Sequence, residues 1–106
     1  MKFYINNRNI QSEEDVYLVG YNADYTAEFE FDSEWGESVK TARFIQNGKH
    51  QDRLIDENNT CEIPMLKTGY VLVGVFDSTK TSTYTRVLFN KSIKDVLSED
   101  GGMRKR

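Results

Sequence analysis

The 106 residues are 38% hydrophobic and 12% aromatic, a supply of large apolar side chains that allows one core and that a disordered chain lacks. A formal net charge of −3, with no long basic face, sets the chain apart from proteins that draw their affinity from nucleic-acid phosphates. A single cysteine excludes an internal disulfide and the paired-cysteine zinc sites, and no apolar run approaches the ~20 residues of a membrane-spanning helix.

The start, Met1-Lys2-Phe3-Tyr4-Ile5-Asn6, turns polar too soon for a secretory leader. Its residues 2–5 read as a short terminal strand, and residues 15–20, Asp-Val-Tyr-Leu-Val-Gly, are rich in β formers. The clearest signal follows in Tyr25-Thr26-Ala27-Glu28-Phe29-Glu30-Phe31-Asp32. Strict alternation sends Tyr25, Ala27, Phe29 and Phe31 to a core and Glu28, Glu30 and Asp32 to water. Residues 39–46 form the next strand, with Phe44 inward, and Asn47-Gly48 is a type I′ hairpin turn that returns through 49–55.

A polar turn, Asp56-Glu57-Asn58-Asn59, precedes a strand at 60–63 that stops at Pro64, the only proline. Residues 70–76, Tyr-Val-Leu-Val-Gly-Val-Phe, are apolar at both parities, as in a central strand buried on both faces. Gly74 inside that strand marks a bulge or a close backbone approach. Residues 77–82 are a small polar turn, 83–89 alternate again, and 92–97 hold one or two helical turns capped by Ser92.

Turns every ten or so residues, with no 10–15-residue helix between strands, predict an all-β chain. The expected form is an antiparallel β-sandwich of about seven or eight short strands, a barrel being the other closure, with a short C-terminal helix. One domain spans residues 1–98, and 99–106 form a flexible glycine and basic tail ending in Arg104-Lys105-Arg106. The interior is expected to consume Phe29, Phe31, Phe44, Leu72 and Phe76.

Chemistry-bearing residues are sparse. Glu28 and Glu30 stand about 7 Å apart on one strand face, a separation that overlaps the carboxylate pairs of glycosidases. Alternation alone already makes both positions polar. The acidic loops Asp32-Ser33-Glu34 and Asp56-Glu57-Asn58-Asn59 lack the spacing of a calcium loop, and Asx turns account for them. His50 lies beside a turn with no sequence-apparent nucleophile. Cys61 alternates with Ile63 as a small buried hydrophobe, and no glycine-rich phosphate cradle exists. No catalytic, metal or cofactor site is expected.

Aromatic side chains remain. Trp35, Tyr70, Tyr84, Tyr21 and Tyr25 are of the kind that stacks on sugars or anchors protein interfaces. Trp35, Tyr70 and Tyr84 are the candidate interaction residues. Trp35 follows an alternating strand, where a large aromatic either closes the end of the core or stands exposed; closure is the favoured reading.

The order of several stretches is familiar. Phe29-Glu30-Phe31-Asp32-Ser33-Glu34-Trp35 is followed by Lys40-Thr41-Ala42-Arg43-Phe44 and by Asp56-Glu57-Asn58-Asn59-Thr60-Cys61-Glu62-Ile63-Pro64. Gly69-Tyr70-Val71-Leu72-Val73-Gly74-Val75-Phe76 and Thr83-Tyr84-Thr85-Arg86-Val87 complete the series. Together, over residues 17–92, they resemble small structural domains of bacteriophage and prophage tail regions, similar to the N-terminal β-sandwich domain of the baseplate upper proteins of Gram-positive phages.

The resemblance implies a virion component, made in the bacterial cytoplasm, that assembles through tail, baseplate or fibre proteins and itself often oligomerises. It implies no catalysis, and Trp35, Phe44, Pro64 and Gly74 match it as fold determinants. Baseplate upper proteins continue into a long C-terminal region, so the likeness is expected to be either that of a separate small structural protein or that of the domain alone. The alternative reading is a carbohydrate-binding module for host cell-wall glycans; neither nucleic acid nor membrane is expected as a partner.

Overall fold

The computed structural model describes residues 1–19 and 26–91. The helix expected at 92–97, the tail at 99–106, and Tyr21 and Tyr25 lie outside them. Nine strands run in chain order among the described residues: β1 (Lys2–Asn6), β2 (Asn9–Ser12), β3 (Val16–Val19), β4 (Thr26–Phe31), β5 (Lys40–Gln46), β6 (Lys49–Ile55), β7 (Thr60–Glu62), β8 (Gly69–Phe76) and β9 (Thr85–Lys91). They build a four-stranded sheet, β2-β1-β4-β7, and a five-stranded sheet, β3-β9-β8-β5-β6. The inner faces of both contribute to one core, so the expected all-β sandwich holds.

The strands form where alternation predicts them. In β4, Ala27 and Phe29 are buried and Glu28 and Glu30 exposed. Phe29 stacks on Phe3 of β1 at 5.3 Å between ring centroids, and Phe31 follows at 6.1 Å. The five-stranded sheet answers with Ala42, Phe44, Val71, Val73, Val75, Val87 and Phe89, all buried. The Asn47-Gly48 turn has φ of 54° and 76°, both left-handed as a type I′ turn demands, and it sets the β5–β6 register at Gln46↔Lys49. Among the described residues the other non-glycine positions at positive φ are Asn7 and Asn59, each in a turn whose geometry asparagine tolerates.

Three expectations are corrected. First, two strand pairs are parallel, β1 with β4 and β3 with β9. Each pair is joined by chain that has visited the opposite sheet, so no hairpin constrains its direction. Second, β2 is an additional strand: the chain reverses at Asn7-Arg8 and pairs Ile5 with Ile10. Third, the core takes Phe29 and Phe44 but not Leu72, which lies 39% exposed on the outer face of β8. Phe76 shares that outer parity, and Phe31 packs against the core only in part.

One end of the sandwich is closed by a polar network around Trp35. The indole N–H donates to the carbonyl of Asn7 at 2.6 Å, joining the β4–β5 connection to the β1–β2 turn. The Asn7 N–H donates to Asp32, and Arg8 meets Glu34 at 3.3 Å, doubling that link. Lys40 is buried, and among the described residues no carboxylate forms an ion pair with it. Its ammonium donates to the carbonyls of Gly36 (3.0 Å) and Ser38 (2.8 Å) and lies 4.9 Å above the Phe31 ring.

From the β8–β9 loop, Lys80 sits 5.0 Å above the Trp35 ring and pairs with Asp77 at 3.1 Å. Asp77, its side chain 1% exposed, also accepts from Thr79 and Lys80 N–H groups and lies 2.8 Å from the Ser38 hydroxyl. Burial pushes the Asp77 carboxyl upward. The Thr79 N–H, the Ser38 hydroxyl and the Lys80 ammonium outweigh it and hold the group well below the usual carboxylate range.

The free edge of β6 is guarded. The carbonyl of Asp52, on the side away from β5, accepts from the guanidinium of its neighbour Arg53 at 2.9 Å. Lys49 and His50 add exposed polar side chains along the same strand.

Because the folded pKa of Asp77 is depressed, its contribution is complete above the unfolded carboxylate pKa of about 3.9 and is lost as pH falls below it. Asp77→Asn is therefore expected to lower the denaturation midpoint at pH 7 and to flatten the acid limb of stability between about pH 5 and pH 2. Urea melts of both proteins across that range check this, and parallel acid limbs would contradict it.

Candidate interaction surface

The three residues singled out as interaction candidates are separated by the fold. Trp35 is 1% exposed, part of the core and the end network, so it is withdrawn from any surface. The reason is its donor: a tryptophan at a strand end can bury its ring fully once its N–H finds a carbonyl, here that of Asn7. Tyr70 (59% exposed) and Tyr84 (37%) lie together on the outer face of the five-stranded sheet.

Tyr84 reaches that face through a register shift. Val73 pairs with Thr85, but Phe76 bridges to Thr81, and Val75 and Ser82 exchange hydrogen bonds. Thr83 and Tyr84 together therefore oppose the single residue Gly74, a β-bulge. The two bulged residues point different ways. Thr83 takes the Arg8 carbonyl with its N–H (2.7 Å) and accepts from the Ile10 N–H on its hydroxyl (3.1 Å), linking to the four-stranded sheet. Tyr84 folds its ring over Gly74, where a Cβ would lie 2.7 Å from the nearest ring carbon. The glycine is thus required by a side chain packed on its outer side, with the bulge on the partner strand.

Around this tyrosine the outer face is continuous. Register places Val16, Leu88 and Tyr70 side by side across β3, β9 and β8. One rung along, Arg86, Leu72, Ile45 and His50 align across β9, β8, β5 and β6. Phe76, Thr41 and Leu54 complete the far side. Leu54 is 67% and Val16 46% exposed. The polar groups on the face are mostly engaged. Arg43 forms a bidentate pair with Asp52 (2.9 and 2.9 Å) and stacks over Phe76 at 5.0 Å. Arg86 lies 4.5 Å over the Tyr70 ring, and His50 Nδ1 is 3.4 Å from Asp52. Arg43 holds the Asp52 carboxyl below its ordinary pKa.

The outer face of the four-stranded sheet has the opposite character. Glu28, Glu30 and Glu62 are exposed there, with Tyr4 and Lys2, and Lys2 meets Glu30 at 3.7 Å. A groove of about 460 Å³ between the segments 36–40 and 54–59 contains Val39, Leu54, Glu37 and Glu57. Its Asp56 is committed to its own turn through the N–H groups of Asn58 and Thr60. Cys61 is buried, and burial pushes its thiol up to about 12, which leaves no thiolate at neutral pH.

Sequence reasoning missed the importance of Leu72, Ile45, Leu88 and Val16. The signal was present in β8, whose outer parity is as apolar as its inner one. No protein-family model matches the chain, and no curated protein matches it.

Gly74→Ala is expected to displace the Tyr84 ring and cost about 1 kcal/mol, as overpacking does. In a Tyr84→Ala background the same change is expected to be neutral or slightly stabilising, because alanine suits a strand better than glycine. A double-mutant cycle by chemical denaturation measures the coupling, and additive effects would contradict the ring-on-glycine contact.

Proposed function

We propose that the protein is a non-enzymatic structural domain of a phage or prophage tail region, assembling in the virion through protein–protein contacts made by the outer face of its five-stranded sheet. The observation that carries this reading is the exposed apolar surface of Val16, Tyr70, Leu72 and Leu54, on a domain small enough that such a surface is a large share of one side. Tyrosine, arginine and aliphatic groups with few free charges are what the centres of protein interfaces contain. The ordered run of stretches from Phe29 to Val87 that resembles tail-region domains supports the class of partner.

A glycan platform fits less well. Trp35 is out of reach, and Arg86 already covers one face of Tyr70. A hydrolase built on Glu28 and Glu30 would have those groups on an open, solvated strand face rather than in a cleft.

Particles of the phage or induced prophage that encodes the chain are expected to contain it, by quantitative mass spectrometry, at a fixed copy number. Leu72→Lys places a charge in the middle of the outer face at a stability change within about 0.5 kcal/mol, since the site is exposed. The folded variant is expected to be missing from otherwise purified particles. Particles without the wild-type chain, or full incorporation of the variant, would overturn the reading.

A further inference from the structure

The outer face of the five-stranded sheet has a shape and composition that suit one occupant best. We propose that it packs on the same face of a second copy of this chain, forming a two-fold symmetric dimer; the proposal rests on the reading of that face as an interface and names what covers it.

Three observations lead there. The first is area. Four strands of seven or eight residues and the four-residue β3, spaced about 4.8 Å apart, give a face of roughly 500 Å², so a self-packed pair buries about 1,000 Å², the least that a specific, weak interface needs. The four-stranded sheet is smaller, with strands of three to six residues, and cannot cover it as fully.

The second is composition. Every strand contributes an apolar side chain to the face, Val16, Leu88, Tyr70, Leu72, Phe76, Ile45 and Leu54, set among the polar Thr41, Arg43, Asp52, His50 and Arg86. Sheet-on-sheet packing buries such a layer against another of the same kind.

The third is charge. Arg43 is already neutralised by Asp52 within the face, so bringing two faces together strands neither group. The Arg86 guanidinium lies 4.5 Å from the centre of the Tyr70 ring, a cation–π contact of the kind arginine makes at interfaces. The opposite outer face presents Glu28, Glu30 and Glu62 against Lys2, and two copies of it repel.

β8 is the middle strand of five, which puts Leu72 near the centre of the face and so near the symmetry axis. A two-fold interface brings a residue close to its own counterpart, whereas a head-to-tail stack does not.

Sedimentation equilibrium of the purified full chain is expected to show a monomer–dimer equilibrium with a dissociation constant on the order of 10 µM, as suits an interface of this size. The association is expected to be unchanged or stronger at 1 M NaCl, because it is apolar. Leu72→Lys is expected to shift the dissociation constant at least 100-fold while the circular dichroism and the emission of buried Trp35 stay native. Glu30→Lys, on the other outer face, is the control and should leave the dimer intact. A spin label on Leu72→Cys, a singly reactive protein since Cys61 is buried, should give one short label-to-label distance below about 20 Å, the scale of two facing sheets about 10 Å apart.

A strict monomer at several hundred micromolar, a dimer insensitive to Leu72→Lys, or a dimer lost in 1 M salt would each overturn the proposal. Its fate is separable from that of the virion role. A monomer still found in particles removes the dimer alone, and a dimer absent from particles removes the assembly role alone.

Discussion

A strand has two faces, and in a two-layer sandwich only one of them can enter the core. That constraint decides what β8 does. Its inner set, Val71, Val73 and Val75, is β-branched and fills the space opposite the four-stranded sheet. Its outer set, Tyr70, Leu72 and Phe76, is just as apolar and meets no second layer among the described residues. The neighbouring strands repeat the excess through Leu88, Ile45 and Val16. The opposite sheet spends its outer positions on glutamates, as a solvated face normally does. The two outer surfaces therefore differ in chemistry, one rich in apolar side chains and the other in carboxylates.

Much of the architecture was legible before the structure. β4 alternates without a break, and its inner residues are the ones buried. The Asn47-Gly48 dipeptide fixed a two-residue turn, and with it the register of the β5–β6 pair. What stayed hidden has identifiable causes. β2 contains only one buried residue, Ile10, between polar neighbours, and its turn at Asn7-Arg8 has no glycine to announce it. Strand direction leaves no trace in period-two patterning, so the parallel β1–β4 and β3–β9 pairs were invisible. Leu72 and Phe76 were assigned to the core because a strand apolar at both parities does not say which parity points inward. Trp35 was open between core and surface, since the choice turned on a carbonyl 28 residues away in sequence.

The acidic residues illustrate how turn chemistry can imitate a binding site. Asp32, Asp56 and Asp77 each cluster with other oxygen-bearing side chains. Each carboxylate is already occupied by N–H groups of its own turn, and Asp77 also by an ammonium. Among the described residues no group of three or more histidine, cysteine or acidic side chains converges as metal ligands would. The carboxylates hold loops instead, and the loop that Asp77 holds contains the residues that lead into the bulge. Thr83 then ties that bulge to the other sheet while Tyr84 lies on the outer face, so core closure and surface shape share one short segment.

The arginine resting on the Asp52 carbonyl has a consequence for geometry at larger scale. A sheet normally propagates sideways, each rim templating the next chain, which is the route to fibrils. On the β6 rim one outward carbonyl is engaged by the chain's own guanidinium. A second copy approaching this rim finds one outward acceptor already engaged, so strand addition at β6 begins with a hydrogen bond to be broken or shared.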